Sequence, residues 1–276
     1  MISGPVISAE QAVPALEGAV ILDARAGPHA SAAYHEGRVR GAIHVDLEKD
    51  LSELGDPRLG GRHPLPALEH WAERVGAWGI TPSTRVLIYD STNGGMAAAR
   101  AWWMLHAIGH QPLAVVDGGW AALLSAGAPT ERGDAPRTSP SMPYPTTASH
   151  WPTVDADFVD RARVDGAWRV IDARAPERYA GKSEPIDPVA GHIRGAHNLY
   201  WQTQVDEAGK LVEPSVLRAR YAEILGEVPP ERVICYCGSG VTACHLLLAM
   251  ATCGLRGGQL YVGSWSEWCR TREGAI

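Results

Sequence analysis

The chain is expected to fold as two tandem α/β domains of one type, each a mostly parallel sheet with helices on both faces. Three observations predict this. Short apolar, β-branched runs alternate with segments of helical periodicity along the whole length. Continuous apolar strands between helices mean a parallel sheet covered on both sides. The sequence also repeats itself: Val20-Ile21-Leu22-Asp23-Ala24-Arg25 returns as Val170-Ile171-Asp172-Ala173-Arg174, and Gly37-Arg38-Val39-Arg40-Gly41-Ala42 as Gly191-His192-Ile193-Arg194-Gly195-Ala196. Further on, Arg85-Val86-Leu87-Ile88-Tyr89-Asp90 returns as Arg232-Val233-Ile234-Cys235-Tyr236-Cys237, and Asp117-Gly118-Gly119-Trp120 as Val262-Gly263-Ser264-Trp265. Matches in the same order at nearly constant offset mark a domain duplication, not a solenoid. Finally, 276 residues with 45% hydrophobic and 20% charged side chains suit two ordinary globular domains.

In the first half, apolar runs near Val6, Ala19–Leu22, Ile43–Val45, Val86–Tyr89 and Leu113–Val116 read as strands. Ser8 is placed to cap a helix with Glu10 and Gln11 in its first turn. Pro66 to Trp78 and Met96 to Ile108 give two more helices. The second of these carries Trp102 and Trp103, one expected in the core and the other at an interface. Ala128 to Trp151 is rich in Pro, Ser and Thr, lacks apolar periodicity and reads as a linker over the surface. The expected division is residues 1–127, a linker 128–151, and residues 152–276.

A formal net charge of −6 argues against a nucleic-acid partner, which needs clustered positive charge. No apolar run reaches the roughly 18 residues of a membrane-spanning helix, and Met1-Ile2-Ser3-Gly4-Pro5 lacks the basic start and apolar core of a secretory signal. A cytoplasmic location is expected. All five cysteines lie in the C-terminal part: Cys235, Cys237, Cys244, Cys253 and Cys269. An odd, one-sided set is a poor disulfide framework. Cys235-x-Cys237 with Cys244-His245 has the wrong spacing for zinc, so no metal is expected. Cys235 and Cys253 read as small core hydrophobes. Nothing calls for an organic cofactor.

The most informative stretch runs from Val233 to Ala243. A β-branched run ends at Tyr236, and Cys237-Gly238-Ser239-Gly240-Val241-Thr242 leads into a helix-compatible run. A cysteine held at a helix N-terminus loses its proton more readily, and the thiolate is the nucleophile. Gly238 and Gly240 are suited to positive φ and to a loop curled around an anion.

This stretch resembles the active-site loop of two-domain sulfurtransferases of the rhodanese superfamily. Cys-Gly-Ser-Gly-Val-Thr is similar to the version found in 3-mercaptopyruvate sulfurtransferases; thiosulfate-using relatives tend to carry basic residues where this chain has Gly238 and Ser239. The resemblance implies a rhodanese fold. It also implies transfer of sulfane sulfur from a small-molecule donor through a Cys237 persulfide to a thiol or cyanide, with pyruvate released from 3-mercaptopyruvate. A thiol acceptor, thioredoxin among them, is the implied partner. The amides from Gly238 through Gly240 and Val241 to Thr242 would stabilise the anionic sulfur, with the helix beginning near Val241. Thr242 either adds a hydroxyl bond or is a plain first-turn residue.

In the first copy Asp90 stands where the second has Cys237. A carboxylate cannot carry a persulfide, so that copy is expected to be silent and Asp90 to cap the helix after its loop. On spacing alone Ser239 is a small turn residue and His63 a loop histidine beside prolines. The resemblance implies more: a relay of Ser239, His63 in His63-Pro64-Leu65-Pro66, and an acidic residue matching Glu48, where the family often has Asp. Arg178 matches a substrate-binding arginine, suited to bidentate carboxylate recognition, although it also fits a surface helix charge. Some relatives place a second arginine just before the Gly-His-Ile motif. Here Glu184-Pro185-Ile186-Asp187-Pro188 replaces it, so Lys182 or Arg62 substitutes, or one arginine suffices, or the donor differs. The Gly191–Ala196 motif reads as a turn and strand entry, and Gly263–Trp268 as structural support for the loop.

Three other readings compete. Thiosulfate:cyanide sulfur transfer fits the same scaffold. A phosphatase of a related fold would need an arginine where this chain has Ala243. A non-enzymatic sulfur carrier or docking module would more often have lost its cysteine.

Overall fold

Strands form at the apolar runs, and five of them build a parallel sheet in each half of the chain. The computed structural model describes residues 4–92, 94–134 and 142–272, so part of the expected linker, residues 135–141, lies outside the described residues. The first half holds β1 (Val6–Ile7), α1 (Ala9–Ala12), β2 (Ala19–Asp23), α2 (Ala30–Glu36), β3 (Arg38–Val39), β4 (Ile43–His44), α3 (Leu68–Ala77), β5 (Arg85–Tyr89), α4 (Ala97–Ala107), β6 (Leu113–Val116), α5 (Gly119–Ser125) and β7 (Thr130–Glu131). The second holds β8 (Thr153–Val154), α6 (Ala156–Ala162), β9 (Arg169–Asp172), α7 (Pro176–Tyr179), β10 (His197–Asn198), α8 (Pro214–Leu225), β11 (Val233–Tyr236), α9 (Ala243–Thr252), β12 (Gln259–Tyr261) and α10 (Ser264–Thr271).

The first sheet runs β1-β6-β5-β2-β4 and the second β8-β12-β11-β9-β10, with every neighbouring pair parallel. The two orders are one topology repeated. Successive side chains of a strand point to opposite faces, and both faces are covered. In the first unit Ile21, Leu87, Tyr89 and Val116 pack with Ala9, Ala12 and Leu123, from α1 and α5. In the second, Val170, Ile234, Tyr236 and Tyr261 pack with Val159, Ala162, Trp265 and Trp268, from α6 and α10. The alternate residues Leu22, Val86 and Ile88, and Ile171, Val233 and Cys235, are buried as well.

The repeated motifs build the same polar core twice. Arg25 Nη2 donates to Asp23 at 2.6 Å and to the Gly37 carbonyl at 2.7 Å; Arg174 Nη2 donates to Asp172 and to the Gly191 carbonyl, both at 2.7 Å. The Tyr89 hydroxyl accepts the Val39 amide and the Tyr236 hydroxyl the Ile193 amide, each at 3.1 Å. The guanidinium of Arg25 lies over Trp120 and that of Arg174 over Trp265. Buried charge is tolerated here because it is paired and hydrogen-bonded on all sides.

The Ser8 side chain accepts the Gln11 amide, as its position before α1 led one to expect. α3 starts at Leu68, two residues inside the expected span, and the Pro66 carbonyl takes the Trp151 indole N–H at 2.9 Å instead. Trp102 and Trp103 are both buried: Trp102 stacks on His106, and Trp103 on Trp151. Neither is left for an outer interface. Tyr144 is also buried, with its amide on the Ala72 carbonyl, so this part of the linker is docked rather than loose.

The chain divides into two units. One comprises Met1–Leu51, Pro66–Trp151 and Glu207–Lys210; the other comprises Ser52–Leu65, Pro152–Asp206 and Leu211–Ile276. Residues 52–65, part of the first copy in sequence, thus pack with the second unit. Their backbone is tied there: the Gly60 amide donates to Glu267 Oε1 at 3.0 Å and the Arg62 amide to Ser266 Oγ at 3.1 Å. A Cβ on Gly61 would collide with the Gly263 carbonyl, which explains the glycine.

Candidate active site

β11 is buried along its whole length between β9 and β12, so Cys237 falls just past the carboxyl end of a central strand, where reactive loops of such sheets gather. Cys237 is buried. The start of α10 latches its loop: the Cys237 amide donates to Ser264 Oγ at 3.1 Å, the Trp265 amide to the Cys237 carbonyl at 3.0 Å, and the Ser266 amide to the Gly238 carbonyl at 2.9 Å. Gly240 has φ +76°, and a Cβ there would lie 2.6 Å from the Val262 carbonyl oxygen, so only glycine fits. Gly238 is not in the left-handed region, and its glycine needs another reason. α9 starts at Ala243, two residues later than the sequence led one to expect. Among the described residues the amides of Gly238, Ser239, Val241 and Thr242 find no protein acceptor. These N–H groups, next to a helix N-terminus, suit an anion.

The first copy shows what such a loop holds. The buried Asp90 carboxylate accepts the Thr92 and Gly94 amides, both at 2.8 Å, the Ala98 amide at 3.3 Å and the Met96 amide at 3.4 Å. The loop is filled by its own anion. Asp90 is therefore not the N-cap of α4; Met96 is, and Asp90 reaches the first turn across the intervening loop. Burial pushes its carboxyl up, against the loop amides. The Trp120 amide donates to the Asp90 carbonyl as the Trp265 amide does to that of Cys237, so the two loops correspond.

Ser239 is buried, and its Oγ lies 2.8 Å from His63 Nδ1. The two are distant in sequence and meet because residues 52–65 belong to the second unit. Glu48 belongs to the first unit; its side chain is exposed and its amide donates to Asp46 Oδ1. Val241 is buried, and the Thr242 hydroxyl makes no protein hydrogen bond among the described residues.

Arg178 donates to Glu184 through Nη2 at 2.6 Å and Nε at 3.2 Å. Burial opposes the Glu184 charge, but Arg178 and the Asp187 and Ile186 amides hold its carboxyl below the usual range. Asp187, also buried, accepts Arg62 Nη1 on Oδ2 and Arg270 Nη1 on Oδ1 at 2.9 Å, and its Oδ2 is 3.8 Å from Arg178 Nη2. Both arginines converge on the loop. A Cβ built on Gly238 would lie 3.1 Å from Arg62 Nη2 and 3.6 Å from Arg178 Nη2. Of the two substitutes open from sequence, Arg62 stands at the loop, while Lys182 is exposed. Sequence reasoning missed Glu184 and Asp187 as partners; two acids flanking a missing arginine were the available signal.

Among the described residues no three His, Cys, Asp or Glu side chains gather as metal ligands. Cys235 and Cys253 are buried, and burial pushes both thiols up.

A family model described as the Rhodanese-like domain matches residues 8–126 and 155–271. The chain belongs to the rhodanese family. It is 38% identical over 236 residues to a Pseudomonas aeruginosa protein described as a probable 3-mercaptopyruvate sulfurtransferase, covering 85% of this chain and 82% of that one. It is 33% identical over 245 residues to a thiosulfate sulfurtransferase of Cricetulus griseus, covering 85% and 78%. The solved 3-mercaptopyruvate sulfurtransferase from Leishmania major superposes with a TM-score of 0.85 at 28% identity, covering 97% of this chain and 74% of that one. The two matched segments are the two copies of the rhodanese domain that the repeat predicts. In this rhodanese, among the described residues, no helix is long and apolar enough to cross a membrane.

Proposed function

We propose that this sulfurtransferase of the rhodanese family takes the thiol sulfur of 3-mercaptopyruvate and passes it, as the sulfane sulfur of a persulfide on Cys237, to a thiol or cyanide. The Cys237 thiolate attacks the donor sulfur and the C–S bond breaks. Its electron pair goes to the methylene carbon as an enolate. One proton on that carbon gives pyruvate, and Cys237 keeps the sulfur as a persulfide. An acceptor thiolate, such as that of thioredoxin, then attacks the outer sulfur and frees the Cys237 thiolate. The loop amides stabilise the anionic sulfur.

The observation that carries this reading is the 2.8 Å contact between His63 Nδ1 and Ser239 Oγ, two residues beyond the nucleophile. Such a pair can deliver the proton the enolate needs. Thiosulfate leaves as sulfite, which needs no proton on carbon. Steady-state kcat/KM for both donors in parallel, with Cys237→Ser as the blank, tests the proposal. A preference for 3-mercaptopyruvate is expected, and Ser239→Ala and His63→Ala should lower its kcat about 10²- to 10⁴-fold while sparing thiosulfate. A preference for thiosulfate with both variants unaffected would refute it. Thiosulfate is the second reading, favoured by the two guanidinium groups beside Gly238, which also suit a dianion.

A further inference from the structure

The first turn of α10 touches the chain on both sides of the Ser239–His63 contact, and one residue does so through two different groups. We propose that Ser266 is a positioning residue: its amide and its hydroxyl fix the residues that precede Ser239 and His63, and so bring that serine and that histidine within hydrogen-bond reach. The inference rests on the reading that this pair delivers a proton to the donor carbon.

Ser266 is fully buried. Its backbone N–H donates to the Gly238 carbonyl at 2.9 Å, in the peptide unit that leads into Ser239. Its hydroxyl accepts the Arg62 amide at 3.1 Å, one residue before His63. The hydroxyl proton goes to the Gly263 carbonyl at 3.0 Å, which leaves a lone pair of the oxygen for Arg62. Both segments are thereby pinned to one residue, and His63 Nδ1 comes to 2.8 Å from Ser239 Oγ. The close approach needs Gly61: at φ +81° its missing Cβ would lie 2.7 Å from Ser266 Oγ. Glu267 holds the same segment slightly earlier, with Oε1 accepting the Gly60 amide at 3.0 Å and Oε2 the Tyr261 hydroxyl at 2.8 Å.

The silent copy shows what the serine adds. Asp117-Gly118-Gly119-Trp120 matches Val262-Gly263-Ser264-Trp265, so Ala121 and Ala122 stand where the second copy has Ser266 and Glu267. The Trp120 amide keeps the bond to its loop carbonyl that the Trp265 amide makes, so that part of the latch does not require the serine. Alanine supplies a backbone N–H but no side-chain acceptor for a passing segment. The hydroxyl is present in the copy whose loop serine meets a histidine, and absent from the copy whose loop is filled by Asp90. Its contribution is orientation, and a misplacement of about 1 Å can cost on the order of 10² in rate.

Nitrogen NMR of histidine-labelled protein, with the imidazole neutral, reads the contact directly, because the Nδ1 shift depends on the hydrogen bond that nitrogen makes. His63→Ala identifies the signal, and Ser239→Ala gives the shift without the contact. In Ser266→Ala the Nδ1 shift should move from the wild-type value toward that of Ser239→Ala, and Ser266→Thr, which keeps a hydroxyl, should restore it. Ser266→Ala should also lower kcat for 3-mercaptopyruvate about 10- to 100-fold, change its KM less than about threefold, and lower thiosulfate turnover less. A folded Ser266→Ala variant with the wild-type Nδ1 shift would overturn the proposal. So would a wild-type shift already equal to that of Ser239→Ala, since there would be no contact to set. Ser266→Cys fills the same space but accepts only weakly, and decides by the same shift if Ser266→Ala does not fold. Undiminished kcat in His63→Ala would sink the proton-delivery reading, and the Nδ1 shift would still decide whether Ser266 positions the ring.

Discussion

At the residue scale, the two loop glycines predict different failures. Alanine at 238 meets the far end of a flexible arginine, which can swing away. Gly238→Ala should therefore stay folded and show its cost as a raised KM for the donor, because the methyl group displaces Arg62 and Arg178 beside the loop. Alanine at 240 meets a backbone carbonyl and needs a left-handed φ, so Gly240→Ala should lose kcat and about 1–3 kcal/mol of stability by thermal denaturation. His245, on α9 just beyond the loop, makes a third case. It is fully buried, neither ring nitrogen has a partner among the described residues, and Trp201 packs edge-on against it. Burial lowers its pKa to about 4, against about 6.5 in an unfolded chain. Between those values the unfolded chain binds a proton that the folded one refuses. Stability should fall by up to about 3 kcal/mol as pH drops from 6.5 to 4, and flatten below. His245→Leu removes the ring and should flatten that slope in denaturant titrations at pH 7.5 and 5; an unchanged slope would assign it to other groups.

At the element scale, the nucleophile loop belongs as much to α10 as to α9. Ser264, with φ +52°, is the only non-glycine residue with positive φ among the described residues, and its strain aims a hydroxyl that accepts the Cys237 amide and donates to the Tyr261 carbonyl. Ser264→Ala orphans a buried amide and should cost about 1–3 kcal/mol; a lower kcat for either donor would show that the latch also sets the loop's geometry. This bears on what the sequence could disclose. The parallel strands, most helix positions and the repeat were legible because apolar periodicity and turn residues act over a few positions. Cys237 was legible because strand, loop and helix start are contiguous. The Asp187 contacts and the Ser266–Arg62 bond were not, because they join residues brought together only by folding. Asp90 was half legible: its loss of thiol chemistry follows from its identity, but its four amide bonds depend on how the loop curls. The family resemblance singled out His63; composition alone treats it as an ordinary loop histidine.

At the scale of the whole molecule, duplication has left one topology in two chemical states. The same Asp–Arg–Tyr–Trp core supports a loop carrying a thiol in one unit and a loop filled by its own carboxylate in the other. The remaining cysteines do not add a second nucleophile. Burial pushes the thiols of Cys235, Cys253 and Cys269 up, and Cys244 donates to the Gly240 carbonyl. A raised pKa leaves little thiolate near neutrality. The protein should therefore take up one sulfur atom per chain. Mass spectrometry of the intact protein after incubation with either donor, followed by peptide mapping, should find that sulfur on Cys237 and nowhere in Cys237→Ser. The double variant Asp90→Cys/Cys237→Ser sharpens the test. It installs a thiol in the first loop but leaves the Arg62–Arg178 pair and the Ser239–His63 contact in the second unit, where they were. If the cysteine and the loop amides suffice, this variant will acquire a sulfur on residue 90. If donor capture and proton delivery are needed as well, it will remain unmodified, which is the outcome expected from the arrangement around Gly238.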